Sequence, residues 1–229
     1  MQKISVLQTG PLGVNTYIVS LTENDCLVID SAACAFTHDE NAVLDFLKNH
    51  NQKAVALFAT HHHFDHITGF AVLKKNFPNA HLACHKNDSS AFSQSYDEWV
   101  SDLSEFGISQ FAAAMKDLPA VDYEFQGGET LDAVYKNITD EKIKRALSEW
   151  RIIHTPGHSE GSVCLYNQND KSLISGDTIF YHTYGRTDLA GSDDAKMQTS
   201  LALIKNTIPH DTLVYPGHEL YGFPLSENF

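Results

Sequence analysis

Four histidines and one aspartate are crowded into the six residues HHHFDH, which begin at His61. In an extended segment, side chains two positions apart point to the same side, so we expect His61, His63 and Asp65 to face one point. His66 can turn toward that point where the chain bends at HITG. Imidazoles and carboxylates are the ligands that divalent cations such as zinc require. The stretch therefore predicts part of a metal site.

Three more side chains that could bind a metal follow glycine turns in the last third of the chain. In each case an apolar run ends in a glycine, and the next residue is His158, Asp177 or His218. Glycine permits a sharp change of direction and a close approach of the backbone. A catalytic tetrahedral ion takes three protein ligands and one solvent position, so seven candidates favour two ions that share a carboxylate.

Such a pair of ions predicts a hydrolase. Two cations about 3.5–4 Å apart lower the pKa of a solvent molecule between them from near 16 toward about 7, which supplies a nucleophile without serine or cysteine. The same ions polarise a substrate carbonyl. We expect two divalent metal ions, with zinc first and iron or manganese as alternatives. A purely structural site is disfavoured, because structural zinc sites are closed and usually rich in cysteine.

The elements that must position these residues alternate between strands and helices. The β-branched runs KISVLQT, NTYIVSL and DCLVID predict an antiparallel meander. Thr37 and Glu40 predict a capping box before an amphipathic helix over NAVLDFLKN. The buried strand AVALFAT then leads directly into the histidine cluster. Residues 86–150 have helical spacing and predict a mostly helical insertion or lid within a single α/β domain over residues 1–229.

The composition limits the classes of partner that the protein is expected to bind. The formal net charge of −13 argues against nucleic acid or an anionic membrane as the main partner, which leaves a small-molecule substrate. No apolar run is long enough for a membrane span, and the first ten residues lack the pattern of a signal peptide. Four scattered cysteines predict buried free thiols in a reducing compartment, so we expect a cytoplasmic protein. The oligomeric state stays open.

The order of these residues resembles the metallo-β-lactamase superfamily. The resemblance covers essentially the whole chain, and Asp30, at the end of LVID, stands where that family has a structural acidic residue. It implies a four-layer αβ/βα sandwich with a dinuclear site at one edge of the paired sheets. It also implies that one metal binds His61, His63 and His158, that the second binds Asp65, His66 and His218, and that Asp177 bridges them.

The stretch SGDTIFYHTYGRTDL is similar to the thioesterase branch of that superfamily, in particular to hydroxyacylglutathione hydrolases. In that branch a basic residue contacts the glutathione part of the substrate, and Arg186 stands in its place. We expect Tyr184 to lie beside the substrate as well, and we assign Asp65 and Asp177 to catalysis. A thiolate leaves without a dedicated acid, which favours acyl thioesters over amides. The expected substrate is a glutathione-type or other acyl thioester.

Several alternatives remain within the superfamily. A persulfide dioxygenase would hold one iron on His61, His158 and Asp177, and a hydrolase of another ester or lactone would use the same two ions. The best-known β-lactamases are secreted and typically have cysteine in place of Asp177, and RNA-processing relatives need a basic surface. Only eleven residues follow His218, where full-length hydroxyacylglutathione hydrolases continue with further basic contacts, so we expect fewer charges for glutathione here.

The histidines outside the motif are expected to have ordinary roles. We expect His62 to face solvent and His85 to have a surface or capping role. His154 is expected to bind backbone or to support His158.

Overall fold

The computed structural model describes residues 3–105 and 107–228. The ends of the predicted domain, Met1 and Phe229, lie outside the described residues. The strands are β1 (Ile4–Thr9), β2 (Val14–Ser20), β3 (Asp25–Ile29), β4 (Lys53–Phe58), β5 (His81–His85), β6 (Tyr123–Phe125), β7 (Trp150–His154), β8 (Val163–Asn167), β9 (Ser172–Gly176), β10 (Leu213–Pro216) and β11 (Phe223–Pro224). The α-helices are α1 (Ala42–Asn49), α2 (Phe64–Ile67), α3 (Phe70–Asn76), α4 (Tyr96–Ser104), α5 (Leu131–Val134), α6 (Glu141–Ser148) and α7 (Asp194–Thr207), and 3₁₀ helices span Ser89–Ser93, Ser109–Met115 and Leu225–Glu227.

The strands form two sheets. The first has the order β1-β2-β3-β4-β5-β6, and the second has the order β11-β10-β9-β8-β7. Strands β1 to β3 are antiparallel, as the meander predicted, whereas β3 to β6 run parallel. In the second sheet β9 and β10 are parallel neighbours. Parallel neighbours end at the same edge of a sheet, so the loops that follow β3, β4, β9 and β10 are brought together in pairs.

Alternation along the strands explains the layers. In β3, Leu27 and Ile29 lie in the core between the two sheets, while Cys26 and Val28 face a second core under α1, α3 and α4. A third core packs α7 on the outer face of the second sheet, with Ile204 among its buried residues. The order helix, sheet, sheet, helix confirms the predicted four-layer sandwich.

Residues 86–150 are mostly helical, but they do more than cover the sandwich. Strand β6 extends the first sheet beside β5, with Ala83 opposite Tyr123. Helix α6 buries Ile143 and Leu147 in the core between the sheets. The second half of this segment is therefore part of the fold, while α4 and its flanking 3₁₀ helices lie toward the site described below. A three-residue strand is too short to give a recognisable alternation.

The predicted capping box is wrong. Helix α1 begins after Asn41, and no side chain caps it. The Thr37 hydroxyl instead lies within hydrogen-bond distance of the Asp39 carboxylate and the Cys34 carbonyl, inside a turn. The charged carboxylate of Asp39 is a strong acceptor two residues away and holds the hydroxyl in this turn. The four cysteines are free and buried, as predicted. No helix in the described part of the chain is long and apolar enough to cross a membrane.

Candidate metal centre

The side chains of the site lie at or after the ends of five strands. Asp30 follows β3, His61 lies just after β4, His158 lies in the loop after β7, and Asp177 and His218 follow β9 and β10. Backbone hydrogen bonds hold these ends together across the two sheets. The amide of Val163 donates to the Thr60 carbonyl at 3.0 Å, and the amide of Asn15 donates to the Gly217 carbonyl at 2.7 Å. The two sheets therefore position the site jointly.

The first cluster consists of His61, His63 and His158. One imidazole nitrogen from each lies within 4.8 Å of the others. His63 Nδ1 and His158 Nε2 are 2.7 Å apart. His61 Nε2 is buried and has no hydrogen-bond partner among the described residues. A buried imidazole nitrogen without a partner is costly unless a ligand binds it, so the cluster fits a cation held by three histidines.

The second cluster consists of Asp65, His66 and His218. His66 Nε2 lies 3.2 Å from His218 Nε2, and His218 Nε2 lies 3.3 Å from Asp65 Oδ2. Two imidazoles and a carboxylate converge here, a set that suits a divalent cation. The family resemblance predicted that these three residues form one group, and the structure brings the same three residues together.

Asp177 lies between the two clusters. Its Oδ2 is 3.3 Å from His158 Nε2 and 3.5 Å from His218 Nε2, and its Oδ1 is 3.3 Å from His66 Nε2. A Cβ at Gly217 would collide with this carboxylate, so only glycine fits there. One carboxylate within reach of both histidine groups is the arrangement that a shared ligand requires.

Hydrogen bonds on the outer nitrogens set the tautomers of the histidines. His158 Nδ1 lies 2.9 Å from the carbonyl of Arg186, which can only accept, so Nδ1 must carry the proton and Nε2 a lone pair. His66 Nδ1 donates in the same way to Asp30 Oδ2 at 3.0 Å. Thr60 also donates to Asp30 through its amide and its hydroxyl. Asp30 is thus a buried anchor that turns His66 toward the site.

Burial and neighbouring charges shift the pKa values of the ionisable groups of the site in different directions. Burial, with the neighbouring imidazoles, lowers the pKa of His61 and of His63 well below the ordinary value. Burial alone would lower the pKa of His66, but Asp177 and Asp65 raise it well above the ordinary value. Burial would raise the pKa of Asp177, yet the adjacent histidines hold it well below the usual range. His61 and His63 are therefore neutral and keep lone pairs available at neutral pH.

The local geometry of residues 61–66 differs from the extended segment that the sequence predicted. His63 precedes α2, and Phe64–Ile67 form one helical turn. Asp65 and His66 leave this turn in different directions, as adjacent residues of a helix do, and both side chains still reach the second cluster. Strict alternation was the wrong periodicity, because a single helical turn leaves no repeating pattern in the sequence.

Two histidines outside the motif also differ from expectation. His62 does not simply face solvent, because its Nδ1 lies 2.9 Å from Asp88 Oδ2. His85 is buried, stacks on His154 at 4.2 Å and bonds the Gln126 carbonyl. Burial lowers the pKa of His85, and the neighbouring His154 adds to that shift. His154 itself bonds the backbone carbonyl of Glu160, as predicted.

A cavity of about 930 Å³ opens beside both clusters, a volume that suits a small organic ligand. Its lining includes Asp65, His158, Asp177 and His218 from the clusters, together with Arg186. Much of the remaining lining comes from residues 87–108, which combine apolar and acidic side chains. Tyr184 is exposed and does not line this cavity, so the prediction that it lies beside the substrate is not supported.

Comparison with known proteins assigns the family. A family model described as the metallo-beta-lactamase superfamily matches residues 9–218. The chain belongs to this superfamily. It is 26% identical over 212 residues to the probable metallo-hydrolase YqgX of Bacillus subtilis (strain 168), covering 93% of this chain and 88% of that protein. It is 29% identical over 212 residues to the hydroxyacylglutathione hydrolase of Aeromonas salmonicida (strain A449), covering 92% of this chain and 64% of that enzyme.

Structural comparison agrees with the family. The crystal structure of BLEG-1 B3 metallo-beta-lactamase superposes with a TM-score of 0.76 at 24% identity, over 98% of this chain and 95% of that chain. At this identity the likeness shows the fold alone. The resemblance and the fold predicted from the sequence are thereby confirmed, and the chain is a metallo-beta-lactamase superfamily hydrolase with His/Asp clusters suited to divalent metal ions.

Asp88 is a residue of this superfamily member that the sequence analysis missed. Its buried carboxylate accepts from the amide of His62 at 3.1 Å, from Ser159 Oγ at 2.7 Å and from the amide of Gly161 at 2.7 Å. It therefore joins the loop of His61 and His63 to the loop of His158. No sequence signal marked it, because it is one aspartate in an unpatterned NDSS stretch.

Proposed function

We propose that the chain hydrolyses a small acyl thioester with two divalent metal ions, of which zinc is the first choice and iron or manganese are alternatives. The observation that carries the proposal is the pair of His/Asp clusters around Asp177 at the wall of a ligand-sized cavity. The similarity to a hydroxyacylglutathione hydrolase supports a thioester as the substrate class. Four free thiols support a reducing compartment, for which we propose the cytoplasm.

The residues of the site have separate tasks in this proposal. One ion would be held by His61, His63 and His158, the other by Asp65, His66 and His218, and Asp177 would contact both. Bound divalent cations would polarise a carbonyl oxygen and lower the pKa of water. Asp65 and Asp177 both line the cavity, so their carboxylates can orient an attacking water and the substrate.

Two of the cavity carboxylates outside the His/Asp clusters are poorly suited to donate a proton, which favours thioesters over amides. Burial would raise the pKa of Asp88, but hydrogen bonds from His62, Ser159 and Gly161 hold it below the ordinary value. Glu98 has a lowered pKa because it accepts from Ser95. Both carboxylates line the cavity, are charged at neutral pH and are poor proton donors. An amine leaving group needs such a donor, whereas a thiolate with a pKa near 8.5 leaves without one.

Arg186 is proposed to contact the substrate. Its side chain lines the cavity, but its Nε and Nη2 also bind Asp188 at 2.7 and 2.9 Å. This pair uses two of the five N–H groups of the guanidinium, so the others remain available to a substrate oxygen. The pair is mostly exposed, and exposed pairs contribute little to stability.

Arg186→Ala should therefore raise KM by about tenfold, as expected for one lost charge-assisted hydrogen bond, with kcat and metal content nearly unchanged. Asp188→Ala is the matched control, since it breaks the same ion pair but leaves the guanidinium in place. Steady-state kinetics on both variants separates the two effects. An equal change in both variants would assign Arg186 to the ion pair alone.

Metal removal tests the proposal as a whole. Hydrolysis of S-lactoylglutathione and of an uncharged acyl thioester is followed with purified protein, before and after chelation. We expect chelation to abolish thioester cleavage and zinc, iron or manganese to restore it, with two ions per chain at full activity. The corresponding amide should be cleaved at least about a thousandfold more slowly, because the charged carboxylates cannot protonate an amine. Protein with two bound ions that cleaves no thioester would contradict the proposal.

A further inference from the structure

One wall of the cavity carries a stripe of negative charge. Glu98, Asp102 and Glu105 occur at positions i, i+4 and i+7 on and just after α4, which places them on one helix face. All three line the cavity. Glu219, the residue after His218, is a fourth lining carboxylate that belongs neither to the His/Asp clusters nor to the buried hydrogen bonds of Asp88. None of the four forms an ion pair with a cationic side chain within residues 3–105 and 107–228.

Away from the two proposed metal ions, the positive charge that the side chains of the cavity offer to an anionic substrate is small. Arg186 is the one lysine or arginine in the described lining, and its guanidinium is engaged by both oxygens of Asp188. A carboxylate on the substrate would thus meet four carboxylates and one arginine that already has a partner. All four side chains are exposed, so water and salt screen part of this repulsion, and the four charges act together as a negative field along the wall.

The rest of this wall combines apolar and aromatic side chains with uncharged polar ones. Trp99 and Leu103 are buried between the acidic residues and line the cavity, as does Phe64. Trp99 Nε1 is buried and has no hydrogen-bond partner among the residues that the structure describes. Carboxylates beside such a surface attract organic cations through their charge. The wall therefore suits an apolar group that is uncharged or positive.

We infer that this cavity selects acyl thioesters without a carboxylate, which carry an uncharged apolar or a cationic group away from the scissile carbonyl. The inference rests on the proposed thioesterase function and defines its substrate class. The cavity has two ends of opposite sign. The scissile carbonyl of the substrate, on which negative charge develops, would lie at the His/Asp clusters. The remote group of the substrate would lie against α4. Glutathione, with two carboxylates and one ammonium group, is a poor match for that wall.

Three acetyl thioesters that differ in the charge of the thiol test this inference: S-acetylglutathione, S-acetyl-N-acetylcysteamine and acetylthiocholine. We expect kcat/KM of the metal-loaded protein to be at least about tenfold higher for the uncharged and the cationic thioester than for the glutathione thioester. The N-acetylcysteamine thioester of 4-trimethylammoniobutanoate places the cation on the acyl side instead. Whichever cationic compound is preferred identifies the half of the substrate that lies against α4.

Variants without the charges of the α4 wall test whether this wall causes the substrate preference. The triple variant Glu98→Gln, Asp102→Asn, Glu105→Gln should lower the ratio of kcat/KM for the preferred cationic thioester to that for the uncharged one by about tenfold.

The matched control neutralises three carboxylates that do not line the cavity, through the changes Glu23→Gln, Asp117→Asn and Glu149→Gln. This control variant alters the net charge by the same amount as the wall variant, with the same two kinds of substitution. It should leave the ratio of kcat/KM unchanged.

The outcomes distinguish a wrong substrate class from a wrong enzymatic activity. If S-acetylglutathione is the best of the substrates, the inference is wrong and the thioesterase proposal stands. An equal change of the ratio in both triple variants would likewise overturn the inference, because net charge and not the wall would then determine the preference. If metal-loaded protein cleaves none of the thioesters, the proposed function itself is wrong.

Discussion

Asp177→Asn is expected to lower kcat/KM for thioester hydrolysis by at least about a thousandfold. The carboxylate lies within 3.5 Å of nitrogens from both clusters. Asparagine keeps the shape but removes the negative charge, and its NH₂ group cannot bind a cation. Kinetics and metal analysis of the same preparation measure both consequences.

Asp65→Asn is the informative comparison for that variant. Asp65 belongs to the second cluster alone, with its Oδ2 3.3 Å from His218 Nε2. If Asp177 is shared, Asp177→Asn should weaken both ions, whereas Asp65→Asn should weaken one of them. Titration with zinc and a competing chelator gives the two affinities. Two ions bound at wild-type affinity in Asp177→Asn would refute the shared role of this carboxylate.

The convergence of the seven candidate residues was predictable from the sequence for a physical reason. Each of the glycine turns lies at or just after the end of a strand, and strand ends in paired sheets meet at one edge. His158, Asp177 and His218 could therefore be placed together without knowledge of their distances. The division into two groups of three came from the family resemblance. The structure brings the residues of each group together, and it also brings Asp30 within ligand distance of His61 and His66.

The features that the sequence did not predict depend on tertiary contacts. The helical turn at Phe64–Ile67 is too short to show a period. The pairing of Arg186 with Asp188 depends on how the two side chains are placed, which the spacing of the residues does not determine. The acidic stripe of α4 has the ordinary appearance of a solvated helix face. Its functional meaning depends on the cavity beside it, which no local pattern encodes.

The positions of the candidate metal ligands depend on hydrogen bonds from neighbouring residues. His66 is turned by Asp30, and His158 is turned by the carbonyl of Arg186. The loops that carry the ligands need the same support, because a loop without buried apolar residues has little to hold it. Asp88 supplies that support between the two loops of the first cluster. A test of Asp88 is therefore a test of how the site is held in place.

Asp88→Asn is expected to weaken metal binding at the first cluster by about 10- to 100-fold, as removal of supporting carboxylates does in other metal sites. The carboxylate accepts three hydrogen bonds and lies 2.9 Å from His62 Nδ1. Asparagine has one acceptor oxygen, so its NH₂ group would face another donor. We expect a loss of roughly 3 kcal/mol of stability as well, because buried donors lose their partner.

A matched control separates support of the site from stability in general. Asp122 also accepts a backbone amide, that of Leu82, and pairs with Lys74, but it precedes β6 and so lies at the opposite end of the parallel strands from the clusters. Asp122→Asn should lower the melting temperature without changing zinc affinity.

Burial would raise the pKa of Asp88, yet its hydrogen bonds hold that pKa below the ordinary value. Its contribution to stability is therefore complete at neutral pH and is lost as the pH falls through the pKa of the folded protein. Equal zinc affinities for wild type and Asp88→Asn, measured on folded protein, would show that the two loops hold their positions without this carboxylate.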